Sequence, residues 1–268
     1  FKGCSLRCAW CHNPESIEGK PQLQWIESRC IGCGICLDAC PRGALSPVDG
    51  GIVIDRRACV GCGTCAGACP STALELMGSA WTVIELADEA SRDAHYFGAT
   101  GGVTASGGEA ALQAPFVAAF FRELKRRGIH TALDTSGQCR PEQLDMILPH
   151  ADLLLYDIKE IDSARHAGYT GSGNERILAN LIHAADFARD RIMPREIWIR
   201  TPIIPGATDR RENIMGIGAF IASNLKGRVT RWELCAFNDL CRDKYLRLGM
   251  PWPCLLYTSP SPRDRTRS

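Results

Sequence analysis

The cysteines of this chain fall into groups whose spacing is suited to holding iron and sulfur. Eight of the fifteen cysteines repeat one pattern twice, in the segments CIGCGICLDACP and CVGCGTCAGACP, which agree at 8 of 12 positions. The pattern is the C-x2-C-x2-C-x3-C-P run of bacterial two-cluster ferredoxins. A third group, Cys4, Cys8 and Cys11, lies upstream with C-x3-C-x2-C spacing. Together these groups predict electron transfer through iron–sulfur clusters.

In two-cluster ferredoxins the fourth cysteine of each run ligates the other cluster. On that rule we expect two [4Fe–4S] clusters, one held by Cys30, Cys33, Cys36 and Cys69, the other by Cys59, Cys62, Cys65 and Cys40. Glycines between the cysteines let backbone N–H groups approach the cluster sulfurs. A pair of zinc sites is the alternative, but zinc usually takes two separated C-x2-C pairs.

The upstream triplet supplies only three thiolates. A [4Fe–4S] cluster held by Cys4, Cys8 and Cys11 would leave one iron without a protein ligand. That iron can bind a small molecule, as the open position of a catalytic zinc site does. A zinc site completed by His12, or chance spacing in a cysteine-rich chain, remains the alternative interpretation.

Composition limits the class of protein. The 268 residues are 45% hydrophobic and 23% charged, with a net charge of +1, which is ordinary for a globular protein. No apolar stretch approaches the ~18 residues of a membrane span, so we expect no membrane partner. The balanced charge gives no reason to expect nucleic acid. A chain of this length does not need disulfide staples, and we expect a reducing, cytoplasmic location.

Strands and helices alternate after Trp81. Strands are predicted at 103–106, 129–134, 152–156, 196–200 and 231–234, and helices at 82–95, 114–127, 141–149, 174–189 and 210–224. Repeated βα units predict an α/β fold with a parallel sheet covered by helices. We expect an incomplete (β/α)6-type barrel rather than a flat doubly wound sheet.

The chain divides into four segments on these patterns. Residues 1–24 hold the triplet loop and start the barrel, and FKGC is expected to end a strand that began before Phe1. Residues 25–78 form a ferredoxin-like insert, and 79–253 complete the barrel. Residues 254–268 have no periodicity and are expected to be a disordered or non-native tail.

Charged side chains collect at the ends of the predicted strands. They are Glu109, Asp134, Asp157, Lys159 and Arg200. Catalytic residues of (β/α) barrels lie at the C-terminal ends of the strands. Any one of these residues alone could be a solvated loop residue, but five at corresponding positions favour a site.

Several segments together resemble one family. They are CSLRCAWCHNPES at the triplet, GGVTASGGE at 101–109, LDTSG at 133–137, YDIKEID at 156–162, HAGYTGSGNERILANL at 166–181 and IRTPIIPG at 199–206. Over about residues 1–250 the chain resembles the glycyl-radical-enzyme activating enzymes, which belong to the radical S-adenosylmethionine (SAM) superfamily. The double ferredoxin insert is typical of one branch of that family.

The resemblance implies a SAM site at the strand ends. The amino and carboxylate groups of SAM would chelate the open iron of the triplet cluster. Gly107 and Gly108 would let the backbone approach SAM, and Glu109 would pair with its ammonium group. Lys159 and Arg200 would hold its carboxylate, the arginine through a directional fork.

Three further residues belong to the expected SAM site. Asp134 would help to line it, and Asp157 lies at the next strand end. Trp10 would pack near the adenine, although a core tryptophan is an equal alternative. Two positions depart from the family pattern, namely Ala110 in place of a proline and Asn238 in place of a histidine.

The resemblance also implies the reaction. A low-potential reductant such as flavodoxin or ferredoxin would supply an electron for cleavage of SAM, and hydrogen would be taken from a glycine of a partner glycyl radical enzyme. The insert would relay electrons or dock the reductant, with a structural role as the alternative. Two other functions stay open, a ferredoxin-type electron carrier and a radical SAM enzyme that acts on a small molecule.

Overall fold

The computed structural model describes residues 1–98, 101–189, 191, 193–225 and 227–252. The segment predicted to be a C-terminal tail, 254–268, lies outside the described residues. Within the described ranges, none of the helices has the length and apolar character that crossing a bilayer requires.

The cysteine-rich segment folds as a small unit with two short helices. Its elements are β1 (Gln22–Trp25), α1 (Ile35–Ala39), β2 (Leu45–Val48), β3 (Gly51–Ile54), α2 (Thr64–Gly67) and β4 (Leu74–Met77). β1 pairs antiparallel with β4, and β2 with β3. Each helix starts after a glycine in the left-handed region, Gly34 with φ 74° or Gly63 with φ 80°. Because other residues rarely adopt this conformation, both halves of the repeat make the same turn.

A five-stranded parallel sheet forms the second part of the fold. Its strands are β5 (Gly102–Ala105), β6 (His130–Thr135), β7 (Leu153–Asp157), β8 (Glu196–Ile203) and β9 (Val229–Ala236). Each strand pairs with the next one along the chain. The predicted α/β class and parallel sheet are confirmed. β8 and β9 are longer than predicted, because the pairing between them continues to Ile203 and Ala236.

Seven helices follow the insert within the described residues. They are α3 (Val83–Ser91), α4 (Ala114–Arg126), α5 (Pro141–Ile147), α6 (Ser163–Thr170), α7 (Glu175–Arg189), α8 (Arg211–Asn224) and α9 (Arg242–Arg247). α4 buries Val117, Phe121 and Leu124 on one face, as the helical spacing of these residues predicts. α3 ends four residues earlier than the predicted 82–95 helix. α6 and α9 were not predicted, since each is short and mostly polar.

The start of the chain packs beside the segment that follows β5. The Gly108 and Glu109 amides donate to the carbonyls of Phe1 and Gly3, over 2.9 and 2.7 Å. The terminal amino group of Phe1 donates to the Ser106 carbonyl. The triplet loop is thereby held against the C-terminal edge of the sheet.

Candidate functional site

A cavity of about 400 Å³ lies at the C-terminal edge of the parallel sheet. All five parallel strands or the loops directly after them contribute to its wall. The predicted site residues that line it are Cys4, Cys8, Trp10, Cys11, Gly107, Gly108, Asp134, Asp157, Lys159 and Arg200. The structure thus brings together the triplet and nearly all the strand-end residues that the sequence singled out. The exception is Glu109.

The triplet loop is anchored on α6. The backbone amides of Arg7 and Ala9 donate to the carbonyls of Thr170 and Tyr169, at 2.7 and 2.9 Å. The Trp10 side chain is buried and packs against the Tyr169 ring, with 5.6 Å between ring centroids. Trp10 therefore has a core contact while one part of it still faces the cavity.

The three thiols of the triplet have a buried environment. Burial raises the pKa of the Cys8 thiol to about 12, and burial also raises the pKa of Cys4 and of Cys11. The positive charge of Lys159 acts in the opposite direction and offsets part of this rise in the pKa of each thiol. Since iron binds thiolates, this lysine favours the form that a cluster needs. The donor set fits an iron–sulfur cluster with one open iron.

Four charged side chains form a linked group beside the thiols. Arg200 Nη2 lies 2.7 Å from Asp134 Oδ1, and Arg200 Nε lies 3.2 Å from Asp157 Oδ1. Lys159 Nζ lies 2.7 Å from Asp157 Oδ2. The Ser106 hydroxyl donates to the other oxygen of Asp134 over 2.8 Å. Two cations and two carboxylates of this kind can receive a zwitterionic ligand.

The pKa values of Asp134 and Asp157 are shifted in opposite directions. Burial opposes ionisation of Asp157, but the charges of Lys159 and Arg200 outweigh it and lower its pKa. Burial and the charge of Asp157 raise the pKa of Asp134. Burial likewise disfavours the charge of Lys159, but the Asp157 carboxylate keeps the lysine pKa above its usual value. Lys159 and Asp157 therefore form an ionised pair.

Glu109 points into the protein rather than into the cavity. Its side chain is almost fully buried, at 1% exposure. Its carboxylate accepts hydrogen bonds from the Thr135 hydroxyl at 2.6 Å and from the Ser136 amide and hydroxyl at 2.9 and 2.7 Å. These bonds connect the loop after β5 to the end of β6. The predicted contact of Glu109 with the SAM ammonium group stays a prediction.

The two glycines before Glu109 allow a close backbone contact. A Cβ atom on Gly107 would lie 2.4 Å from the Phe1 carbonyl oxygen, and one on Gly108 would lie 2.4 Å from that of Gly3 and 2.7 Å from that of Ser16. The sequence interpretation gave these glycines only a role in approaching SAM. The structure adds a second reason for them, which is the packing of the triplet loop.

Some polar residues of this site were not singled out from the sequence. Ser106, Thr135 and Ser136 line the cavity and bond to Asp134 or Glu109. All three lie within the GGVTASGGE and LDTSG motifs, in which the sequence interpretation considered only the glycines and the acidic residues. Asn238, the departure from the family histidine, does line the cavity.

The insert has two smaller cavities lined by cysteines. One is lined by Cys30, Cys33, Cys36 and Cys69, and the other by Cys40, Cys59, Cys62 and Cys65. These are the groups given by the fourth-cysteine rule, which stays a prediction for the ligands themselves. In the described part of the chain, no three His, Cys, Asp or Glu side chains are placed to hold a single metal ion. A four-iron cluster is wider, so its thiolates surround a larger body.

Comparison with known proteins gives two family matches. The radical SAM superfamily matches residues 57–216, and a 4Fe-4S dicluster domain matches residues 29–73. The superfamily match starts after the triplet and so does not include Cys4, Cys8 and Cys11. The role expected for these cysteines is supported instead by their position in the cavity wall.

Similar proteins extend over nearly the whole chain. The (2S)-3-sulfopropanediol sulfolyase activating enzyme of Bilophila wadsworthia is 42% identical over 253 residues, 93% of this chain and 82% of the relative. The (2S)-3-sulfopropanediol dehydratase activating enzyme of Klebsiella oxytoca is 37% identical, over 94% of this chain and 80% of the relative. The structure of Streptococcus suis SuiB bound to precursor peptide SuiA shares the fold, with a TM-score of 0.55 at 10% identity over 91% of this chain and 39% of SuiB.

The fold, the site and these matches define a radical SAM enzyme with a dicluster ferredoxin-like domain. Within that superfamily, the chain belongs to the glycyl-radical-enzyme activating enzymes. The resemblance in the motifs is therefore confirmed, and so is its function as an oxidoreductase that activates a glycyl radical enzyme. Its cofactors are three [4Fe–4S] clusters and SAM.

Proposed function

We propose that SAM binds in the cavity between the triplet cluster and the group formed by Asp134, Asp157, Lys159 and Arg200. The observation that supports this most directly is that one cavity is lined both by the three thiols and by these four charged side chains. Cys4, Cys8 and Cys11 would hold the cluster. The cations would receive the SAM carboxylate and the acidic side chains its ammonium group, in exchange for part of their present pairing.

Cys4, Cys8 and Cys11 would hold the cluster, which would supply the electron for reductive cleavage of bound SAM, and cleaved SAM would supply the group that takes a hydrogen atom from a glycine of the partner enzyme. The residues of this chain bind and orient the reactants. Trp10 closes the cavity beside the cluster loop, and Ser106 and Arg200 fix the Asp134 carboxylate. Glu109 would position the site without lining the cavity, because it holds the loop after β5 against the end of β6.

The partner is a glycyl radical enzyme, but sequence identity to the relatives does not single out one type of partner. Relatives named for sulfopropanediol, indoleacetate, hydroxyproline, isethionate and choline enzymes are 34–42% identical to this chain. We propose a first trial with a sulfopropanediol-type partner, because the two relatives named for such enzymes include the 42% match.

The reductant is proposed to be a low-potential flavodoxin or ferredoxin that docks on the insert. Cys33 and Cys62 are exposed, and the apolar residues beside them, Ile31 and Val60, are 67% and 55% exposed. Apolar surface next to a cluster is suited to a transient redox contact. The competing role, a purely structural insert, predicts that these side chains can be changed without effect on reduction.

The first experiment is anaerobic. The protein is reconstituted with iron and sulfide, dithionite and SAM are added, and 5′-deoxyadenosine is measured for the wild type and for Cys8→Ala. Product that disappears in the variant supports the proposed site. Equal amounts of product from Cys8→Ala and the wild type would contradict the proposed site. A glycyl radical signal on the added sulfopropanediol-type enzyme then tests the proposed partner, and its absence while SAM is cleaved would contradict that choice.

A further inference from the structure

The last helix of the described chain contacts the triplet loop directly. The ammonium group of Lys244, on α9, donates to three oxygen atoms of that loop. They are the His12 carbonyl at 2.9 Å, Asn13 Oδ1 at 3.1 Å and Glu15 Oε1 at 2.7 Å. An ammonium group has three N–H donors, so these acceptors match its full capacity. Hydrogen bonds to a charged group are stronger than neutral ones.

The neighbouring residue reaches a cluster cysteine. The hydroxyl group of Tyr245 donates to the Cys11 carbonyl over 2.9 Å. The Tyr245 side chain is buried, at 2% exposure, and its ring packs edge-on against Trp252 with 4.9 Å between centroids. Consecutive residues of α9 thus fix the backbone from Cys11 to Glu15.

The loop that α9 holds is also bonded to the glycine motif. The carbonyls of Ser16 and Ile17 accept hydrogen bonds from the amides of Gly3 and Cys4, at 2.8 and 2.9 Å. The Gly3 carbonyl in turn accepts from the Glu109 amide at 2.7 Å. A movement of residues 12–17 would therefore be transmitted to Cys4 and to the loop of Gly107 and Gly108.

We propose that Lys244 and Tyr245 are positioning residues for SAM cleavage, and that they set the conformation of the Cys11–Ile17 segment against the Gly-Gly-Glu loop. Neither side chain needs to touch SAM. They act on the backbone of Cys11 at one end and, through Ser16 and Gly3, on the loop of Gly108 at the other. The proposal depends on the proposed SAM site, since it gives α9 a role in shaping that site.

The positions in the chain explain why a short helix has this role. α9 has only six residues and lies more than two hundred residues from Cys11 in the sequence. Its contact therefore fixes a loop conformation that the neighbouring residues of the loop do not fix by themselves. The loop is largely irregular, and apart from short 3-10 turns its conformation depends on such contacts.

The test uses three variants of the full chain. Lys244→Met removes the charge and donors, Tyr245→Phe removes only the hydroxyl group, and Lys244→Arg keeps a charged donor. Lys125→Met is the matched control, because Lys125 pairs with the buried Asp152 at 2.7 Å on another part of the fold. All four proteins and the wild type are compared as apo-protein and after reconstitution.

The first readout does not need cofactor. Hydrogen exchange is measured in the apo-protein at the Cys11, Ser16 and Ile17 amides, which donate to loop carbonyls. We expect about tenfold faster exchange at these amides in Lys244→Met, the effect of losing one charge-assisted interaction. The rate in Lys244→Arg should stay within about threefold of the wild type. Lys125→Met should leave these amides unchanged.

The second readout uses the loaded enzyme. We expect the KM for SAM to rise about tenfold in Lys244→Met and less in Tyr245→Phe, and the EPR change that SAM induces in the reduced cluster to weaken. If exchange and the SAM dependence match the wild type while only the unfolding temperature falls, as in Lys125→Met, the proposal is wrong. If Cys8→Ala still cleaves SAM, the proposed SAM site fails instead, whatever the exchange data show.

Discussion

The guanidinium group of Arg200 bonds to the carboxylate of Asp134 across an intervening strand, with Nη2 2.7 Å from Oδ1. Arg200 lies on β8 and Asp134 on β6, and β7 lies between these strands in the sheet. Asp157, at the end of β7, accepts from the same guanidinium group. One arginine therefore holds two carboxylates of like charge together at the C-terminal edge of the sheet.

Replacement of this arginine should destabilise the apo-protein. Arg200→Gln leaves Asp134 and Asp157 close together with one cation fewer, and we expect a loss of about 2 kcal/mol in the free energy of unfolding. Urea denaturation measures it. Arg92→Gln is the control, because Arg92 follows α3 and its pair with Glu89 is exposed. An exposed pair contributes at most about 1 kcal/mol, and equal losses in both variants would contradict the prediction.

The Gly-Gly-Glu loop should not tolerate a side chain at its second glycine. Gly108→Ala would bring Cβ within 2.4 Å of the Gly3 carbonyl oxygen, where backbone must shift. We expect a loss of several kcal/mol in stability, together with loss of SAM cleavage. Gly168→Ala is the matched control, since Gly168 is exposed on α6 and nothing lies within 4 Å of its Cβ position. It should be stabilised by about 0.5–1 kcal/mol, as thermal unfolding of both variants will test.

Acid should reduce the stability contributed by Asp152. Burial opposes its ionisation, but the Lys125 ammonium and the Thr131 amide outweigh burial and lower its pKa. A lowered pKa in the folded state stabilises the protein above the ordinary value of about 3.9, and this stabilisation is lost as pH falls through the folded-state pKa. Asp152→Asn should therefore be less stable than the wild type at neutral pH.

The difference between the two proteins should shrink in acid. Unfolding free energies measured from pH 7 down to the acid limit of folding give the comparison. The exposed Glu212 provides a control carboxylate, and Glu212→Gln should differ little from the wild type at any pH. If the difference in unfolding free energy between Asp152→Asn and the wild type does not change with pH, the loss of stability comes from packing and not from charge.

The cross-ligation of the insert clusters can be tested with two single variants. Cys69→Ala should remove the cluster expected on Cys30, Cys33 and Cys36, while Cys40→Ala should remove the cluster on Cys59, Cys62 and Cys65. Each should lower the iron content by about a third, because one of three clusters is lost. The buried Cys139 lies outside all three groups, so Cys139→Ala should keep full iron content. EPR of each variant would contradict the rule if the first three cysteines of a run retained an unchanged cluster.

Docking of the reductant should depend on the apolar residues at the insert clusters. Ile31→Asp and Val60→Asp are expected to slow reduction by a flavodoxin or ferredoxin about tenfold, since a buried charge opposes the contact. Reduction by dithionite should be unchanged, because it needs no protein interface. Met215→Asp is the control, as Met215 is 61% exposed on α8. Stopped-flow traces that are the same for all variants would favour a structural role for the insert.

The sequence by itself determined the spacing of the cysteines expected to hold the clusters and the alternation of strands and helices that builds the sheet. Cysteine spacing is local, so the two runs define the cluster loops without knowledge of the fold. Alternating apolar strands and amphipathic helices predict a parallel sheet, and strand ends then collect Asp134, Asp157 and Arg200 at one edge. Each of these inferences uses the spacing of residues along the chain and needs no contact between distant segments.

Only the tertiary structure decided how distant segments meet. The burial of Glu109 against Thr135 and Ser136 is seen only in the fold, because these residues lie more than twenty positions apart in the sequence. Likewise, the need for glycine at position 108 follows from the approach of Gly3. Tyr245 reaches Cys11 from a six-residue helix whose pattern is too short to predict. Such contacts depend on three-dimensional packing between residues far apart in sequence, and no local periodicity encodes them.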